Sequence, residues 1–227
     1  MDIKRFIKHT VFLLLLIPGI VFAGSQQTST TLASTIITNT RMYLNDTTAP
    51  YFHSDAEMLV YLNNGTVDIV ARTHCLEAIE TETLVTNQMA YALTDTFIVI
   101  KAVVYNDIKA LRKGSIESFG DIAGEAGEPV YWTQWGSSVL VYPIPDATAN
   151  GNDIDVYTIT KPAAVIAAAA ITIPAYYDKA LTLYIAAQAL KKDAKYAQSN
   201  AVLAEYQAEL DRYRVDFSYQ PVKGQID

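Results

Sequence analysis

The side chains able to carry proton or metal chemistry near neutral pH are few in this chain. Its histidines are His9, His53 and His74, and its single cysteine is Cys75. A metal centre built on them would need three or four ligands converging at short spacings. Only His74 and Cys75 are neighbours, and adjacent residues on a helix point about 100° apart, a poor grip on one ion. No CxxC or HxxxH spacing accompanies them, so no metal or other cofactor is expected. A nucleophilic enzyme would need a Ser or Cys with a base in reach and a turn that stabilises an oxyanion. Neither a GxSxG elbow nor a phosphate-binding loop is present. Gly114, Gly120, Gly124 and Gly127 precede no amphipathic helix and read as turns. The carboxylates Glu77, Glu80 and Glu82 crowd what reads as a helix end. Glu205, Glu209, Asp211 and Asp216 lie on a later helix with Lys191, Lys192, Lys195, Arg212 and Arg214 near them. A glycosidase-type acid pair works only at a defined separation across a cleft. A solvated or subunit-facing helix surface fits these residues better, and no enzyme is expected.

The aromatic residues carry more information. There are 15 Tyr, 7 Phe and 2 Trp, enough to concentrate in two places. One is a hairpin-like stretch with Tyr131, Trp132, Trp135 and Tyr142; the other is the last helix. Tyr and Trp bury large areas at low entropic cost while keeping a polar tip, which suits core and interface. An aromatic sugar-binding platform is the rival reading.

Composition narrows the class further. The chain is 51% hydrophobic and 18% charged, so it folds rather than staying disordered. Its net charge of −7 opposes a general DNA-binding surface, which needs clustered Lys and Arg. Residues 1–23 have the parts of an export signal: basic Lys4, Arg5 and Lys8, an apolar run, and a small-x-small site before cleavage between Ala23 and Gly24. Taken alone, this leader points to a periplasmic or secreted binding protein. The other options are a misassigned start and an apolar helix retained in an assembly. The role of Cys75 stays open.

The elements that would hold these residues follow from periodicity. After a polar linker, 24–31, two N-terminal helices are expected within 32–80. The second opens on the capping box Ser54-Asp55-Ala56-Glu57 and is interrupted at Asn63-Asn64-Gly65. From about Ile79 the period changes to two, and 81–162 reads as an antiparallel β-domain of about five strands. "TLVTNQMAYAL" and "FIVIKAVVYND" are two of them, "IKALRKGSIESF" leaves room for one more, and "VYWTQWGSSVLVYPIP" is a hairpin turning near Gln134–Ser137. Pro174 is placed as the first residue of a helix, and 174–217 forms a helical hairpin breaking near Asp193. Leu203, Tyr206, Leu210, Tyr213 and Phe217 make a seam spaced 3, 4, 3, 4 on its second arm. Residues 218–227 read as an arm. The fold class is α+β, with N-terminal helices and a C-terminal helical hairpin bracketing a small antiparallel β-domain.

The order of these pieces resembles a known family. "ARTHCLE", "MAYALTDTFIVIKAVVYND", "EPVYWTQWGSSVLVYPIPD" and the tract from Ile173 to Asp216 follow one another as in the head–tail adaptor (connector) proteins of tailed bacteriophages. The likeness is to the short-tailed type in particular. It implies a structural virion protein at the head–tail junction: a ring, commonly dodecameric, beneath the portal protein. Such a ring extends the DNA channel and docks the tail or nozzle protein, with DNA passing through unread. Carried onto this chain, contacts would come from Trp132 and Trp135 and from Tyr206, Arg212, Tyr213, Arg214 and Phe217. The export-like leader departs from that pattern.

Overall fold

The computed structural model describes residues 29–94, 96–117 and 124–217, with side chains in the last helix as far as Tyr213. Helix α1, Ala33–Leu44, buries Ala33, Ile36, Ile37, Thr40 and Arg41 along one stripe. Its N-cap is Leu32, which has no side chain to offer the first amides. The linker after the β-domain supplies the acceptors instead: Ala33 N and Ser34 N donate to Ala169 O and Ala167 O, both at 2.9 Å. Helix α2, Asp55–Thr73, starts as the capping box requires, with Glu57 N donating to Ser54 Oγ at 3.2 Å.

The expected interruption of α2 does not occur. Asn63 turns its amide out to the linker, accepting from Val165 N at 2.8 Å and donating to Val165 O at 3.2 Å. Gly65 is there for close approach, since a Cβ would fall 2.7 Å from Tyr184 Cδ1 and 2.8 Å from Leu181 Cδ1. Both residues look like helix breakers locally, but neighbouring elements use them. His74 ends α2 in the left-handed region, so neither it nor Cys75 belongs to the helix.

A short 3₁₀ turn, Ala175–Tyr177, with Pro174 at its N-cap, leads into helix α3, Asp178–Lys192. The expectation of an α-helix starting at Pro174 is therefore corrected by one turn. Helix α3 buries Ala180, Leu181, Leu183, Ile185, Ala186, Ala187 and Ala189. The alanines keep it slim enough for α1, α2 and α4 to pack around it. Ala194, at φ 59°, reverses the chain into α4, Tyr196–Phe217, and the expected helical hairpin forms.

The β-domain has two four-stranded sheets rather than one meander of about five strands. The strands are β1 (Glu77–Thr83), β2 (Ala90–Ala92), β3 (Phe97–Tyr105), β4 (Lys109–Ala110), β5 (Arg112–Lys113), β6 (Tyr131–Trp135), β7 (Ser138–Tyr142) and β8 (Asp153–Thr160). The sheet orders are β1-β8-β3-β4 and β2-β7-β6-β5, antiparallel except for β5–β6. The tract "TLVTNQMAYAL" divides between them. Thr83 closes β1, Leu84 enters the core, Asn87 takes φ 64°, and Ala90 starts β2 in the other sheet. Glu77, Glu80 and Glu82, expected at a helix end, lie on β1.

Trp132, Tyr91, Val139, Val141, Ile100, Val103, Ile154 and Val156 fill the space between the sheets. The Tyr91 hydroxyl fastens the crossover, accepting from Val85 N at 3.0 Å and donating to Gln88 O at 2.9 Å. A second core lies among the helices and takes in Ile159 from β8.

Candidate interaction surfaces

Among the described residues no group of three or more His, Cys, Asp or Glu is placed to hold a metal ion. Burial pushes the Cys75 thiol up from its usual pKa, away from the reactive thiolate. His9 lies outside the described residues. His53 is buried between the α1–α2 loop and the α3–α4 turn, with Nε2 3.5 Å from Asp193 Oδ1 and Nδ1 3.9 Å from Glu57 Oε2.

Around His53 the polar side chains act as fastenings. The Arg41 guanidinium reaches Asp46 Oδ2 at 2.8 Å, Asp55 Oδ1 at 2.7 Å and His53 O at 2.7 Å. Its carbon lies 3.8 Å from the Tyr51 ring centre. Burial presses the Asp46 carboxyl upward, but the Phe52 and His53 amides and the Arg41 charge outweigh it and hold it low. Glu57 is held low by hydrogen bonds from Lys192 and Tyr61. Burial first and the Glu57 carboxylate second push the Tyr61 hydroxyl up to about 12.

These contacts fold the α1–α2 loop tightly, and its aromatic residues face outward. Phe52 is 71% exposed, and Tyr51, Tyr43 and Met42 are exposed around it. A shallow groove of about 240 Å³ opens beside them, with Ile37, Arg41, Met42 and Tyr51 in its walls. The sequence signal was a Tyr-Phe pair after Pro50 in a loop, which composition alone does not separate from core aromatics.

The residues expected at contacts divide three ways. Trp135, at the tip of the β6–β7 hairpin, is 64% exposed. Trp132, three residues earlier, is 2% exposed in the sandwich core, which corrects its expected place on the surface. Tyr206 is likewise interior: its hydroxyl donates to Asp68 Oδ2 at 2.6 Å, and its ring meets Tyr184 edge-on. Burial, followed by the Asp68 carboxylate, raises its pKa strongly. Tyr213 is half-buried against Tyr176 and Tyr177, with the exposed Arg212 guanidinium 5.5 Å from its ring centre. The side chains of Arg214 and Phe217 lie outside the described residues, as do Ala23 and Gly24.

The comparison that decides the family covers most of the chain: the family model for the SU10 adaptor protein matches residues 31–224. The chain belongs to the SU10 adaptor family. It is therefore a phage adaptor with a structural role, in a family that is not one of enzymes. No curated protein matches the chain. The match begins at residue 31, after the export-like leader, and gives the periplasmic reading no support. In this SU10 adaptor the exposed aromatic side chains among the described residues include Tyr51 and Phe52 of the α1–α2 loop and Trp135 at the β6–β7 turn, with Tyr43, Tyr157 and Tyr196 on α1, β8 and α4, while the seam of α4 faces inward as far as Tyr213. Of that seam, Leu203 and Tyr213 are half-buried and Tyr206 and Leu210 buried against the bundle.

Proposed function

We propose that this SU10 adaptor is a ring subunit at the head–tail junction of the virion. In this reading it sits beneath the portal protein, extends the DNA channel and docks the tail or nozzle protein. The family match over residues 31–224 carries the reading. Two features of the subunit support it. A ring subunit needs lateral and axial contact surfaces, and Trp135 and the Met42, Tyr43, Tyr51 and Phe52 group offer exposed aromatic and thioether area on separate elements. The net charge of −7 suits a channel past which DNA slides without adhering. Arg212, exposed beside Tyr213, is a further candidate contact.

The test is assembly. Purified chain is mixed with portal rings and weighed by native mass spectrometry. The expected product is a portal ring carrying a ring of adaptor subunits, dodecameric in the commonest geometry. A chain that stays monomeric with portal rings in excess would overturn the proposal. Trp135→Ala and Phe52→Ala are each expected to weaken that assembly about tenfold or more, with the fold intact.

A further inference from the structure

Natural sheets usually blunt their edges by keeping edge strands short. Three edges here follow that rule: β2 has three residues, and β4 and β5 have two each. The fourth, β1, runs for seven residues, Glu77–Thr83, at the end of the sheet order β1-β8-β3-β4. Its register fixes which backbone groups are in use. Thr160 N donates to Leu76 O and Leu84 N to Asn152 O, at the two ends of a ladder pairing Glu77 with Ile159 through Thr83 with Asp153. In an antiparallel ladder the bonded pairs alternate. Ala78, Glu80 and Glu82 therefore bond to β8, and Ile79, Thr81 and Thr83 turn their N–H and C=O groups away from it. Among the described residues nothing pairs with the backbones of Ile79, Thr81 and Thr83.

The side chains along this edge specify what could pair there. Glu80 and Glu82 stand on one face, half-buried, and Glu80 Oε1 is engaged within the subunit, accepting from Thr94 N at 2.5 Å and Thr94 Oγ1 at 2.6 Å. Burial and the charge of Glu80 raise the Glu82 carboxyl, so a cation beside it would be favoured. On the other face Ile79 is exposed opposite Tyr157 of β8. A second copy of β1 paired antiparallel about Thr81 would set Glu80 against Glu82 twice, a row of like charges. We propose that β1 is an acceptor edge for an extended strand of a partner protein, one that alternates basic with β-branched or apolar residues. A basic residue would lie opposite Glu82, and the apolar ones opposite Ile79 and Thr81. This property belongs to the folded subunit and does not depend on ring formation.

The probe is a labelled peptide about as long as β1 that alternates Lys and Val, titrated into the full chain by fluorescence anisotropy. Hydrogen exchange follows the β1 amides. The expected result is saturable, salt-sensitive binding with slowed exchange at Ile79, Thr81 and Thr83. N-methylating the peptide on its pairing edge should weaken binding about tenfold or more, since two or three backbone bonds are lost. That control leaves the protein unaltered. Glu82→Lys should weaken the Lys/Val peptide and favour a Glu/Val one, and Thr81→Pro should act like the N-methylation. Equal binding of the N-methylated peptide, equal binding of the Glu/Val peptide to the unaltered chain, or no binding at all would each overturn the proposal. In the last case the carboxylates only guard the edge.

Discussion

The helical bundle and the β-sandwich of this subunit handle polarity in opposite ways. The bundle takes charged side chains inside and uses them to fasten its loops. Arg41 joins Asp46, Asp55 and the His53 carbonyl, Tyr206 holds Asp68, and Ser199 Oγ donates to Ala187 O at 2.8 Å. The sandwich has an interior built on apolar volume around Trp132 and Tyr91, and it sets its carboxylates on the outer face and edge. A bundle of slim alanine-rich helices holds its long connections through a few directed bonds. A sandwich held by volume leaves its rim free to be charged. Its surface can therefore vary with little effect on its stability.

The largest effect that would sharpen this contrast is Trp132→Ala. It should cost about 3–5 kcal/mol, because a large side chain is removed from a core that cannot collapse around the gap. Thermal unfolding measures it, and a loss under about 1 kcal/mol would break the account of the sandwich. Arg41→Met is expected to cost about 3 kcal/mol, since Asp46 would keep its burial and lose its cation. Urea denaturation reads that change, and a neutral result would mean that packing rather than directed bonding holds the α1–α2 loop. Gly65→Ala comes next, at about 1–3 kcal/mol, because Tyr184 and Leu181 must shift to admit one methyl group.

The smallest effect separates the two regions by pH. Asp46 and Glu57 have lowered pKa values in the folded bundle, so the stability they add is complete above the ordinary carboxylate range. It is lost as pH falls through their depressed folded values. Around the β1–β8 pair of the sandwich the signs reverse, although Asp146 in the β7–β8 connection is held low by its hydrogen bonds from Thr148 and Ala149. Glu82 is raised by burial and by Glu80, and Asp107 by its hydrogen bond to Asp155 and that residue's charge. Their penalty is present at neutral pH and relieved as pH falls through their raised values. Asp178, raised by burial against the bond from Thr31, opposes the trend within the bundle. Hydrogen exchange followed from roughly pH 6 to pH 3 should show the α1–α2 loop loosening before the β1–β8 pair. The opposite order would remove the distinction.

Much of the local structure was legible from the residues. Ser54 and Glu57 marked the start of α2, Gly136 and Ser137 marked the β6–β7 turn, and the Asp193 break marked the αα-hairpin. Each rests on a signal within a few residues. The order of segments was enough to place the chain among head–tail adaptors. What was misread depended on distant partners. Asn63 and Gly65 look like interruptions until Val165 and Tyr184 are beside them. The Glu/Thr alternation of β1 gives no apolar period, because an edge strand needs only a neighbour to pair with and not a fully buried face. The groove and the outward aromatics of the α1–α2 loop depend on where Arg41 draws that loop.

Trp132 and Trp135 show the division most plainly. Their sequence separation, an odd number of residues on one strand, determines by itself that they face opposite sides of the sheet. It does not determine which side is the interior. That was decided when the β2-β7-β6-β5 sheet packed its Trp132 face onto Ile100, Val103, Ile154 and Val156. The pleat is a property of the backbone and reads from spacing alone. The inward direction belongs to the pair of sheets, and no single strand carries it.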